Sequence, residues 1–163
     1  MELIESKLRG GINMNRKKWI IRKAIVDDAK DLKDCMDAAY SKYLSRLKGK
    51  QLPPMNIDYE EEISSFPVWV VDSEKEIVGG LILMFENDYT KVANVAVHPD
   101  FQGNGLGRNL MDFAEAEAKK RGYFELRLAT HILLTENISF YLNLGWEEID
   151  RDDTRVYMRK NIL

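Results

Sequence analysis

The spacing of apolar residues changes several times along the chain, and each change marks an element. Trp19 to Ala24 reads as a short strand. Ala29, Leu32, Met36, Ala39 and Tyr43 recur at three and four, which predicts a helix capped by Asp27 or Asp28 and running to about Leu47. A loop with Gly49 and Pro53-Pro54 follows, then a short acidic helix over Asp58 to Ser64. Pro67 opens a strand, Val68 to Val71, and "DSEKE" turns the chain. Ile77 to Phe85 is apolar on both faces and predicts a central strand. Asn87-Asp88 reverses the chain into Lys91 to Val97. Leu106, Leu110, Phe113, Ala114 and Ala118 form the apolar stripe of a helix from about Gly105 to Arg121. Its wet side offers Glu115–Lys119 and Glu117–Arg121 as pairs one turn apart, and Gly122 stops it. Phe124, Leu126 and Leu128 alternate with Glu125 and Arg127, as in a strand. Thr135 caps a helix through Leu144, and Trp146 to Asp150 and Arg155 to Arg159 are closing strands. The sum is an α/β domain (α+β mixed), a mixed sheet of about seven strands flanked by about four helices.

The chain has 163 residues, 45 % apolar and 31 % charged, which suits one core. Residues 1–13 carry charge and glycine without apolar period and precede Met14, so they read as a poorly packed extension to a domain over 14–163. The longest apolar run, Ile77 to Phe85, is too short to span a bilayer. One cysteine, Cys35, forms no internal disulfide and reads as a small buried apolar residue. A cytoplasmic protein without membrane association is expected. The net charge of −3 argues against a nucleic-acid partner. Asp58 and Glu60 to Glu62 form an acidic cluster that favours a cationic ligand if it lines a site, and is otherwise a solvated helix face.

The chemistry concentrates in AVHPDFQGNGLGRNLM, residues 96–111, where Gly103, Gly105 and Gly107 stand directly ahead of a helix. A helix N-terminus offers unpaired N–H groups and partial positive charge, and absent side chains let an anion approach. A plain turn needs one glycine; three at alternate positions point to a cradle for a pyrophosphate. The dinucleotide pattern G-x-G-x-x-G fails on spacing, and no G-K-S/T follows for a P-loop. A nucleotide-binding module is the weaker alternative, since no acidic ribose ligand is suitably placed.

The order Gln102-Gly103-Asn104-Gly105-Leu106-Gly107 matches an acyl-CoA loop, Arg/Gln-x-x-Gly-x-Gly/Ala, and resembles the GNAT superfamily of N-acetyltransferases. NVAVHPDFQGNGLGRNLM is similar to its central strand, loop and helix, and ENISFYLNLGWEEIDR to its later helix and strand. The likeness runs from about Ile20 to Met158 and extends to a bacterial subgroup with T-H-x-x-x-T-E-N and R-V-Y-M-R-K. It implies a sheet whose strands Lys91 to Val97 and Phe124 to Ala129 splay apart. Acetyl-CoA, the implied cosubstrate, would lie along Val95, Ala96 and Val97, with its pyrophosphate on Gln102, Gly103, Asn104, Gly105, Leu106, Gly107 and Arg108. Asn137 and Phe140 would complete that site. A backbone N–H of the first strand would hold the thioester oxygen.

The same resemblance assigns Tyr141 as the acid that protonates the leaving thiolate; packing on an apolar helix face is its other reading. Many relatives carry a glutamate base where this chain has Ala93. His131, a side chain type that titrates near neutrality, is the candidate base or acceptor ligand, whereas His98 is read as structural. Tyr40, Tyr43, Tyr59 and Glu60 to Glu62 are candidates to shape the acceptor pocket. No metal is implied. The expected activity is acetyl transfer to a primary amine of a small molecule or protein, with a CoA-binding module lacking turnover as the alternative. A homodimer through C-terminal strands is a family habit.

Overall fold

The computed structural model describes residues 18–74 and 76–163. The expected extension over residues 1–13 lies outside the described residues. Seven strands form one sheet in the order β1-β2-β3-β4-β5-β7-β6. They are β1 (Ile20–Lys23), β2 (Val68–Asp72), β3 (Ile77–Phe85), β4 (Thr90–Val97), β5 (Glu125–His131), β6 (Glu147–Arg151) and β7 (Arg155–Asn161). Four α-helices accompany them among the described residues: α1 (Ala29–Ser41), α2 (Tyr59–Ser65), α3 (Leu106–Lys120) and α4 (Thr135–Asn143). All neighbouring strands are antiparallel except β4 and β5, which are parallel. None of the described helices is long and apolar enough to cross a membrane.

Strand alternation divides the core into two faces. Trp69, Val71, Val78, Leu81 and Leu83 pack with Leu110, Phe113 and Ala114 of α3. Val68, Val70, Ile77 and Ile82 pack with Leu32 and Met36 of α1. β2 and β3 are thus covered on both sides, which is why their sequences are nearly all apolar. Each large side chain so buried stabilises the fold by about 1.5–3 kcal/mol. α1 packs tightly on the sheet at Gly80, where an added Cβ would stand 2.6 Å from Leu32 Cδ1 and 2.9 Å from Met36 Cε.

Several local expectations change. α1 ends at Ser41 rather than near Leu47. Beyond it Tyr43 N–H bonds the carbonyl of Tyr40, and Leu44 N–H that of Ser41, so the chain tightens into turns. The apolar period persists there because Tyr43, Leu47 and Leu52 still pack, now against Leu134. Asp28 stands at the N-cap of α1 without capping it; its carboxylate accepts from the Ile25 N–H and from both terminal nitrogens of Arg22. Asp58 does cap α2, accepting from the Glu60 and Glu61 N–H groups. The N-cap of α4 is Leu134, not Thr135. Glu117 does pair with Arg121 but is buried, and Glu115 pairs with Lys160 on β7 rather than with Lys119. Phe124 lies outside β5 and is exposed.

Candidate active site

Among the described strands, the only parallel seam of the sheet is also its shortest. β4 and β5 pair at Thr90–Leu126 and Lys91–Arg127 and then diverge. From Val92 onward this edge of β4 has no strand beside it, so its backbone groups face a cleft. On its other edge β4 follows β3 with an irregularity: Leu83 pairs with Val92 and Ile82 with Asn94, leaving Ala93 as an extra residue. A bulge of this kind bends a strand and increases its twist. α4 and the connection after α1 close over the opening. The result is two cavities that share Tyr40, Val95, Asn137 and Tyr141.

The first is a groove of about 450 Å³ between the end of β4, the glycine loop and α4. Every expected cofactor residue lines it except Asn104, whose side-chain nitrogen donates to the Phe101 carbonyl within the loop. The three glycines serve two purposes. Gly103 and Gly105 have φ of +84° and +78°, and nothing lies within 4 Å of where a Cβ would be. They supply a left-handed turn and leave backbone exposed at the start of α3. Gly107 sits inside the helix, and its Cβ would lie 3.3 Å from Phe140 Cζ. Its role is close packing of α3 against α4. The Gln102 side chain donates to the Val97 carbonyl at 3.0 Å and accepts from Lys42, tying loop to strand end. Lys42 and Arg108 add positive charge to the groove wall. These features suit a pyrophosphate ahead of an apolar channel.

At the junction, Tyr141 is buried, with its ring against Phe140 and Trp146. Its hydroxyl has no hydrogen-bond partner among the described residues. Burial, with a smaller contribution from Tyr43, raises its pKa well above that of an ordinary tyrosine, so the phenol keeps its proton through the neutral range. Tyr40 is held differently. Its hydroxyl lies 3.1 Å from both Asn94 Oδ1 and the Val95 carbonyl, which fixes it against the cleft edge of β4.

The second cavity, of about 360 Å³, opens between the diverging strands. Ala93 and His131 line it, as do Leu47, Leu52 and Leu128. His131 Nδ1 accepts the Leu133 N–H at 3.1 Å. A neutral ring held in this way carries its proton on Nε2. His98 uses Nδ1 in the same manner, accepting the Asp100 N–H to cap the turn after β4, as expected of a structural histidine. Cys35 is buried in α1, and burial pushes its thiol up to about 12, consistent with the inert apolar reading.

The acidic cluster does not meet this cavity. Asp58 caps α2, and Glu60 to Glu62 line neither space. Tyr59 is buried and donates to the Pro54 carbonyl, and Tyr43 belongs to the groove, so of the expected acceptor residues only Tyr40 and His131 line the cavity. The residues missed from sequence are Lys50, Lys91 and Arg155, which also line it. Lys91 carried no readable signal, since the bulge at Ala93 interrupts the alternation of β4 between it and Val95. Among the described residues no group of three or more His, Cys, Asp or Glu is placed to hold a metal ion.

Comparison with known proteins agrees with this geometry. The sequence model of the acetyltransferase (GNAT) domain matches residues 64–148. An Escherichia coli K12 protein described as an uncharacterized N-acetyltransferase, YjgM, is 32 % identical over 110 residues, covering 63 % of this chain and 66 % of its own. The E. coli K12 ribosomal protein bS18-alanine N-acetyltransferase is 38 % identical over 61 residues, covering 37 % of this chain and 41 % of its own. This chain therefore spans less than two thirds of either relative. The crystal structure of the PaiA N-acetyltransferase from Thermoplasma acidophilum in complex with coenzyme A superposes with a TM-score of 0.76 at 18 % identity, covering 88 % of this chain and 99 % of that one, which is a likeness of fold.

Proposed function

The chain belongs to the GNAT acetyltransferase family, and from that premise we propose that it moves an acetyl group from acetyl-CoA to a primary amine by direct attack within a ternary complex. The observation that carries this reading is the meeting of two cavities at Tyr40, Val95, Asn137 and Tyr141. One has a glycine-lined helix N-terminus for a pyrophosphate; the other leads to the junction from the opposite side. A thioester at the junction would be open to an amine from the second cavity.

The roles follow from what each group can do. The exposed backbone edge of β4 near Val95 to Val97 would pair with the amides of the pantetheine arm, and an N–H there would hold the thioester oxygen as charge builds on it. The new carbon–nitrogen bond forms as the carbon–sulfur bond breaks. Tyr141, kept protonated by burial, gives its proton to the departing sulfur and is reprotonated from solvent. The amine must lose a proton, and no carboxylate lines the acceptor cavity. With Nδ1 of His131 committed to a backbone N–H, its Nε2–H is better suited to hold the acceptor than to deprotonate it. A water relay then carries the amine proton out.

The same lack of a carboxylate favours a second reading, a CoA-binding module without turnover. Release of free thiol from acetyl-CoA, measured across amines, amino acids, polyamines and peptide N-termini, separates the two. Acceptor-dependent release supports transfer. Tight CoA binding without release for any acceptor leaves the binding module.

A further inference from the structure

We infer that the acceptor carries a carboxylate beside its amine, together with an apolar body, so that the second cavity takes a hydrophobic amino acid or a close analogue. This rests on the reading that the cavity receives the acceptor. It goes further by choosing the acceptor's charge, and it reverses the cationic ligand expected from the acidic cluster.

The formal charges lining the cavity are all positive. Lys50 comes from the connection after α1, Lys91 from β4 and Arg155 from the start of β7, where it lies opposite His131 in the strand pairing. No Asp or Glu is among the lining residues. None of the three cations has a salt-bridge partner among the described residues; for the lysines this is common in the protein, but for an arginine it is not. Arg22, Arg46, Arg121, Arg127, Arg151 and Arg159 each meet a carboxylate within 4.0 Å. The described arginines without a salt bridge are Arg108 and Arg155, and each lines one of the two cavities. Arg108 faces the groove suited to phosphates. By the same logic Arg155 and the two lysines face a place for a second anion.

Like charges sharing one cavity wall repel one another; Asp152 offsets Arg155 in part, but no carboxylate lines the cavity itself, and a cationic amine entering alone would add to that repulsion. A carboxylate on the acceptor offsets it. Two consequences follow. Polyamines and aminoglycosides, which carry several positive charges and no negative one, are disfavoured. The positive surroundings also lower the pKa of the acceptor amine, which helps supply the neutral nucleophile where Ala93 replaces a glutamate. The remaining wall is largely apolar, with Leu47, Leu52, Val92 and Leu128, and a volume of about 360 Å³ has room for one amino acid.

The test compares leucine, methionine and phenylalanine, each with the amine that lacks its carboxylate, and spermidine. Two readouts are taken on the full chain: thiol release from acetyl-CoA, and calorimetric binding of each acceptor in the presence of CoA. At least one amino acid should exceed its decarboxylated partner by about tenfold or more in kcat/KM and in affinity, the scale of a charged hydrogen bond. Lys91→Glu and Arg155→Glu should shrink or reverse that preference. Lys91→Met and Arg155→Met, checked by thermal melting, do the same if the glutamate variants fold poorly. The inference is overturned if no amino acid binds, or if spermidine or the decarboxylated amines bind and react as well. Amino-acid binding without thiol release would uphold this inference and defeat acetyl transfer; turnover of spermidine without amino-acid binding would do the reverse.

Discussion

Replacing Tyr141 by phenylalanine removes one oxygen and separates two roles that sequence leaves joined. The ring is 7 % exposed and packs on Phe140 and Trp146 at centroid distances of 5.4 and 5.8 Å. Phenylalanine keeps those contacts. The hydroxyl has no hydrogen-bond partner among the described residues, so its removal orphans no buried group. The hydroxyl is not among the buried polar atoms left without a partner and Tyr141 lines both cavities, so deleting it should leave stability within about 0.5 kcal/mol of the parent. For a domain of this size that is a shift in Tm of about 2 °C at most in either direction. Catalysis should change far more. If the phenol protonates the leaving sulfur, kcat falls by about 10²- to 10⁴-fold, with the low end expected if water substitutes. The variant should bind CoA as the parent does. Steady-state kinetics at saturating acceptor, CoA titration and thermal melting on both proteins give the three quantities. An unchanged kcat, where single-turnover measurements show acyl transfer to be rate-limiting, would reduce Tyr141 to a packing residue. A large fall in Tm would show that the hydroxyl has a structural partner and refute the stability argument.

The remaining predictions concern the cradle, the core and pH. Gly105→Val places a branched side chain at φ +78° and should weaken CoA binding by about tenfold or more while the domain stays folded, since left-handed strain in one residue costs about 1–2 kcal/mol; equal CoA affinity by calorimetry would put the cradle elsewhere. Gly80→Val drives a Cβ within 2.6 Å of Leu32 Cδ1 and should lower stability by about 1–3 kcal/mol or more in denaturant melts. Asp28→Ala removes the carboxylate held by Arg22 and the Ile25 N–H and should cost about 1–3 kcal/mol at neutral pH. Hydrogen bonds from Arg22 hold the Asp28 pKa below its ordinary value. That contribution is therefore present above about pH 3.9 and fades as pH falls below it, so parent and variant should converge in acid. Burial raises the pKa of Tyr40, Tyr59 and Tyr141 in the folded state. Stability should then be steady below about pH 10 and decline above it, where only the unfolded chain loses these protons; a flat denaturant midpoint to strongly alkaline pH would contradict the burial of these phenols.

What sequence alone determined follows from short-range chemistry. Period two in Glu125 to Leu128 and period three to four in Leu106 to Ala118 report which side of an element meets the core, because a strand alternates and a helix turns every 3.6 residues. Gly103 and Gly105 ahead of a helix report a backbone conformation that other residues resist. The family motif around Gln102 to Gly107 and Phe140-Tyr141 rests on the same kind of local constraint. Other features depend on residues far apart in the chain. The end of α1 at Ser41 was hidden because Tyr43 and Leu47 keep the helical period while packing from turns onto Leu134. Gly107 looked like its neighbours in the loop until Phe140, from another helix, came within reach of its missing Cβ. The acidic run over Glu60 to Glu62 carried a charge signal but no address, and folding sets it away from both cavities. Lys50, Lys91 and Arg155 lie far apart in sequence and share a cavity because β4 and β5 part after two residue pairs. No local pattern records that parting; it arises from strand pairing and from the bulge at Ala93, and these are properties of chains brought side by side.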